Sequence, residues 1–150
     1  MKTSLFNDTI ENIRAAADII RDGGLVAFPT ETVYGLGADA LNSEAVSKVY
    51  AAKGRPSDNP MIVHIAETSE LAKLTDDINS DMRALMDAFW PGPMTMIVRR
   101  KDIVPDVTTG GLDTVGVRLP SSEVARTLIR ESGCPIAAPS ANISGRPSRS

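Results

Sequence analysis

The chain carries one cysteine, Cys134, and one histidine, His64, among 150 residues. One cysteine excludes an intrachain disulfide and a thiolate zinc cluster, and one histidine excludes a histidine-rich metal site. No apolar run is long enough to span a bilayer, and the polar N-terminus does not read as a signal peptide. No Walker A sequence is present, which excludes a P-loop NTPase, and Gly35-Leu36-Gly37 is too short for a dinucleotide fingerprint. The Gly-x-Ser-x-Gly elbow of serine hydrolases is also missing, since Ser140 stands in Pro-Ser-Ala-Asn. A net charge of −3 gives no global attraction to nucleic acid, so an RNA contact needs a local patch. A reducing cytoplasm is the expected setting.

What is present suits one domain over residues 1–150, with 42% hydrophobic and 23% charged residues. Asp8 or Thr9 can cap a helix whose apolar face is Ile10, Ile13, Ala17 and Ile20, stopped by Gly23-Gly24. Leu25 to Phe28 reads as a short buried strand ended by Pro29. Ser43 is expected to cap a helix with Ala45, Val46, Val49 and Ala52 at helical spacing. Met61 to Ala66, Met94 to Val98, Thr114 to Leu119 and Pro135 to Ala138 read as strands. Helices are expected near residues 69–74, 79–90 and 122–131. Interleaved strands and helices predict an α/β sheet with helical cover, partly parallel.

The densest chemistry lies in Lys53-Gly-Arg-Pro-Ser-Asp-Asn-Pro60, between a helix and an apolar strand. Its prolines stiffen the loop and hold Lys53 and Arg55 in one place. An arginine fork and a lysine point charge suit phosphate or carboxylate. Two readings stand for this loop alone: anion binding, or a solvated turn with Lys53 complementing a helix C-terminus. Three other loops border strands: Pro29 to Leu36, Gly110 to Thr114, and Ser140 to Ser148, whose small side chains leave backbone N–H groups open to an anion. Ligands collect at strand ends in open sheets, so the four loops could share a cleft. Arg118 either faces inward toward a ligand carboxylate or outward to solvent. His64 is either a hydrogen-bonded core residue or a catalyst.

The order and wording of these loops resemble the YrdC/Sua5 family of threonylcarbamoyl-AMP synthases. The likeness runs through Pro-Thr-Glu-Thr-Val-Tyr-Gly-Leu-Gly, the Lys53 to Pro60 loop, Trp-Pro-Gly-Pro-Met-Thr, Gly-Leu-Asp-Thr-Val-Gly-Val-Arg-Leu-Pro and Ala-Pro-Ser-Ala-Asn-Ile-Ser-Gly-Arg-Pro-Ser. The family's Lys-x-Arg and Ser-x-Asn signature falls on Lys53, Arg55, Ser140 and Asn142. The resemblance implies a twisted open mixed sheet with helices packed on it and a concave, positively charged cleft. It places ATP against Arg55, Asn59, Thr114, Ser140, Asn142 and Ser148. It places L-threonine against Thr32, His64, Arg118 and the backbone at Ala138.

The implied chemistry joins L-threonine, bicarbonate-derived CO2 and ATP into threonylcarbamoyl-AMP and pyrophosphate, for the threonylcarbamoyladenosine modification of tRNA. Lys53 and Arg55 are the expected charge-neutralising pair at the phosphates. Mg2+ is expected as a companion ion held mainly by phosphates and water, with no protein ligand named. A downstream threonylcarbamoyl transferase complex is the expected partner. The competing reading is a YciO-like module that holds tRNA or double-stranded RNA without synthase activity. The family's catalytic domain continues beyond a Ser-x-Asn loop where this chain stops at Ser150, so the resemblance implies a partial synthase domain.

Overall fold

The computed structural model describes residues 10–29, 34–53 and 60–139. Helix α1, Ile10–Arg21, buries Ile13, Ala16, Ala17 and Ile20 on one stripe, as an amphipathic helix does. It ends where Gly23 takes a φ of 86°, a conformation that costs glycine little. The expected caps Asp8 and Thr9 lie outside the described residues. Strands β1, Val26–Pro29, and β2, Tyr34–Asp39, pair antiparallel, with Val26 opposite Gly37 and Phe28 opposite Gly35. The sequence reading leaves most of β2 in a loop, because Gly35 and Gly37 remove the alternating side-chain signal of a strand.

Close packing explains the second glycine. A Cβ on Gly37 would sit 2.9 Å from both Ile136 Cγ2 and Phe28 Cβ. Gly37→Ala is therefore expected to destabilise the fold by about 1–3 kcal/mol through overpacking. The loss is read as a lower urea midpoint at unchanged slope, and an unchanged midpoint would show that the neighbours yield freely.

Helix α2, Ser43–Lys53, is capped by Asn42 and not by Ser43: Asn42 Oδ1 accepts from Ala45 N–H at 3.1 Å. Strand β3 is Ile62–His64, and a 3-10 helix covers Thr68–Lys73. Helix α3, Ser80–Phe89, is capped by the Asn79 side chain and leads to strand β4, Met96–Arg99. A short helix α4, Asp106–Thr109, has no counterpart in the sequence reading. Its β-branched residues are poor helix formers, and tertiary bonds hold it: Tyr50 Oη donates to Val107 O at 3.1 Å, and Thr108 Oγ1 to Ala40 O at 2.7 Å. Strand β5 is Thr114–Arg118. Helix α5, Glu123–Ser132, is capped by the Ser122 side chain and ends at a left-handed Gly133. Strand β6 is Ile136–Ala138.

Among the described residues the sheet runs β1-β2-β6-β3-β5-β4. It is mixed, as expected, with β3 and β5 parallel and the other neighbours antiparallel. One face carries Ala38, Val63, Val98, Val115, Val117 and Ala137 against Val46, Val49, Leu71, Leu74, Met86 and Trp90. The opposite face packs Phe28, Ile136 and Ala138 under Ile13, Ala17 and Ile20 of α1 and Leu128 and Ile129 of α5. That helical cover lies over β1 and β6. Toward β4 the same face opens: Ile97 is 63% exposed, Arg99 is exposed, and Thr114 and Arg118 are half-buried.

Candidate functional site

Strand register lays this face, covered over β6 and open toward β4, out in three rows. Arg99 of β4 stands opposite Thr114 of β5. In the next row Ile97, Gly116, Ile62 and Ala138 follow one another across four strands. In the third, Arg118 is opposite His64, which is opposite Ile136. Side chains in these rows alternate with the buried Val63, Val98, Val115, Val117 and Ala137, so all share the face away from that core. Thr114 and Arg118 lie four residues apart on β5, about 13 Å along the strand.

Strand directions put the described strand ends that flank the four loops at one end of the sheet. β2, β3 and β5 run one way and β1, β4 and β6 the other. The chain therefore leaves β1, enters β2, β3 and β5, and leaves β6 at the same end of the sheet. An added Cβ on Gly35 would lie 3.8 Å from Pro139 Cδ, so the entry to β2 adjoins the exit of β6. This is the amino end of the parallel β3–β5 pair, not the carboxyl end that open parallel sheets favour. His64 and Arg118 close the carboxyl ends of those two strands.

The third loop is built on two left-handed glycines, Gly110 at φ 66° and Gly111 at φ 86°. It is tied to β4 by Arg100 N–H donating to Asp113 O at 2.9 Å. The Arg100 side chain is spent internally, on Val104 O at 2.6 Å and on Asp106. Lys101 likewise reaches Ala72 O at 2.9 Å and Asp76 at 3.3 Å. His64 fits the core reading: it is 1% exposed, and its ring lies 4.8 Å from that of Phe28. Its Nδ1 is 3.2 Å from Ile136 O. A carbonyl only accepts, so Nδ1 is assigned the proton in this contact.

Of the expected site residues, Thr114, His64, Arg118 and Ala138 thus share one face. Lys53 is the last residue of α2, where the chain enters the second loop. Thr32, Arg55, Asn59, Ser140, Asn142 and Ser148 lie outside the described residues. The sequence reading did not single out Arg99. Alternation along Met96-Ile-Val-Arg hints at its face, but its place beside Thr114 depends on a register that sequence does not carry. Among the described residues no cluster of His, Cys, Asp and Glu could hold a metal ion, so a protein-held Mg2+ finds no ligand set among them.

Cys134 belongs elsewhere. It precedes β6, at the opposite end from the loops, and borders a cavity of about 180 Å³ lined also by Leu74, Ile103, Ile129, Arg130 and Pro135. Burial pushes its thiol up to about 12, with the Asp39 carboxylate and a hydrogen bond to it adding to the rise. Such a thiol is a poor nucleophile at neutral pH.

Comparison with known proteins gives a consistent picture. The Sua5–YciO–YrdC family model, described as "Telomere recombination", matches residues 18–150. The chain is 57% identical over 136 residues to the threonylcarbamoyl-AMP synthase of Pyrococcus abyssi, covering 91% of this chain and 40% of that protein. It is 56% identical over 137 residues to the Bacillus subtilis enzyme of that name, with the same coverage of 91% and 40%. The crystal structure of P. abyssi Sua5 complexed with L-threonine superposes with a TM-score of 0.87 at 56% identity, over 93% of this chain and 41% of that one. The chain thus spans about two fifths of the length of these relatives.

Proposed function

The chain belongs to the Sua5–YciO–YrdC family, and we propose that it forms threonylcarbamoyl-AMP and pyrophosphate from L-threonine, CO2 supplied by bicarbonate, and ATP. The observation that carries this reading is the open face itself, which sets Thr114 at the loop end and pairs Arg118 with His64 two rows away. The names of the P. abyssi and B. subtilis relatives support the same activity.

In this reading the Arg118 guanidinium pairs with the threonine carboxylate, and His64 and the Ala138 backbone line the amino-acid pocket. Thr32 completes that pocket. Thr114 holds the nucleotide together with Arg55, Asn59, Ser140, Asn142 and Ser148. The threonine amine adds to CO2, loses a proton, and becomes a carbamate. A carbamate oxygen then attacks the α-phosphorus of ATP. The new O–P bond forms as the α–β bridging bond breaks, and pyrophosphate leaves with the electron pair. The substrate supplies the nucleophile, so the protein's work is alignment and charge neutralisation. Lys53 and Arg55 do that work at the phosphates. Mg2+, where it takes part, enters with the triphosphate as part of the substrate.

The product would feed threonylcarbamoyladenosine formation on tRNA through a separate transferase, a cytoplasmic process. No described helix is long and apolar enough to cross a membrane. Pyrophosphate release by the 150-residue chain tests the reading. Release that needs ATP, L-threonine and bicarbonate together is the expected result. Absence of release together with absence of ATP and threonine binding would overturn it in favour of an RNA-holding module.

A further inference from the structure

The proposed reaction leaves one cation on the open face without a task. Arg99 ends β4 at the loop end of the sheet, exposed and directly opposite Thr114. Its neighbours Arg100 and Lys101 are each committed to a carbonyl and a carboxylate. The described residues give the Arg99 side chain no such partner. β4 is an edge strand, and a charge on an edge strand ordinarily serves to deter pairing with other chains. That role accounts for a charge anywhere along the edge, but not for its place on the open face beside Thr114.

Resting on the synthase reading, we infer that Arg99 is a further ATP contact, binding the β- and γ-phosphates that depart as pyrophosphate. The geometry follows from the reaction. Displacement at phosphorus runs with the attacking and leaving oxygens roughly in line. Threonine is anchored at the Arg118 row, so the leaving group points away from that row. Arg99 stands two rows from Arg118, past Gly116, at the end toward which the leaving group points. Cross-strand neighbours have Cβ atoms about 5 Å apart, so a guanidinium on Arg99 can reach a phosphate held at Thr114. Its planar fork takes two phosphate oxygens at once, and its charge offsets the charge that develops on pyrophosphate.

The test uses the whole chain with Arg99→Glu, Arg99→Ala and Arg99→Lys, and measures binding of ATP, inorganic pyrophosphate, AMP and L-threonine by calorimetry. Arg99 is exposed, so these variants keep the fold. Arg99→Ala is expected to weaken ATP and pyrophosphate about tenfold, and Arg99→Glu more. Lysine should recover part of the loss, while AMP and threonine stay within about twofold of wild type. Unchanged ATP and pyrophosphate binding in Arg99→Glu overturns the assignment and leaves an edge-strand charge. Equal weakening of AMP also overturns it, since AMP lacks the departing phosphates. A wild-type chain that binds neither ATP nor threonine sinks the underlying synthase reading along with it.

Discussion

Alanine at Lys53 or Arg55 is expected to lower threonine-dependent pyrophosphate release by about a hundredfold to a thousandfold, while stability moves by no more than about 0.5 kcal/mol. Lys53 is the last residue of α2, and Arg55 follows two residues later in the sequence, directly before Pro56. Their proposed work is done at the phosphates, where charge is redistributed as the α–β bond breaks. A donor aimed at developing charge affects the barrier far more than it affects folding. Lys53→Arg and Arg55→Lys should each recover only part of the rate, because a fork and a point charge do not superpose. The two alanine substitutions together should cost less than the product of the single losses, since both act on one charge. Steady-state release and urea melts on the same samples separate the two effects. A variant that melts early but keeps its specific activity would show that these residues hold the loop and not the phosphates.

How far the sequence reached can be judged from single residues. Most of the α1 stripe was legible because Ile13, Ala17 and Ile20 repeat at helical spacing and are buried, whereas Ile10, read on the same face, is exposed at the first turn. Helix α5 was legible to within a residue at each end, as Glu123–Ser132 against the expected 122–131. β2 was not, since its cleft-side positions Gly35 and Gly37 carry no side chain to betray the alternation. α4 was not either, because Tyr50 and Thr108 stabilise it from distant parts of the chain. The same limit applies to the site. The motifs named Thr114, His64, Arg118 and Ala138, but strand order alone brings them together. β3 contacts β5 and β6 across about 50 and 70 residues of chain, and no local pattern encodes that pairing. Arg118 shares a face with His64 only through a register that no local pattern encodes, and it stands there half-buried.

Arg118→Ala should weaken L-threonine binding by about a hundredfold while changing ATP binding by less than about threefold. Arg118 is half-buried and closes β5, so its stem is held by the sheet and its charged head is confined near the His64 row. A carboxylate held there exchanges its water shell for a charge-assisted, two-point contact, which is worth more than a neutral hydrogen bond. Losing the guanidinium removes that contact and leaves the bound carboxylate without a countercharge. The nucleotide, about 13 Å along the strand at Thr114, should scarcely register the loss. The main-chain bond from Ile65 N–H to Arg118 O, at 3.0 Å, survives the substitution, so β3 and β5 stay in register. Arg118→Lys separates charge from geometry: recovery of most of the affinity would mean that a point charge suffices, and little recovery would mean that the fork is required. Calorimetric titration of threonine and ATP into each variant decides the matter, because equal losses for the two ligands would remove Arg118 from the amino-acid pocket and make it a support for the whole face.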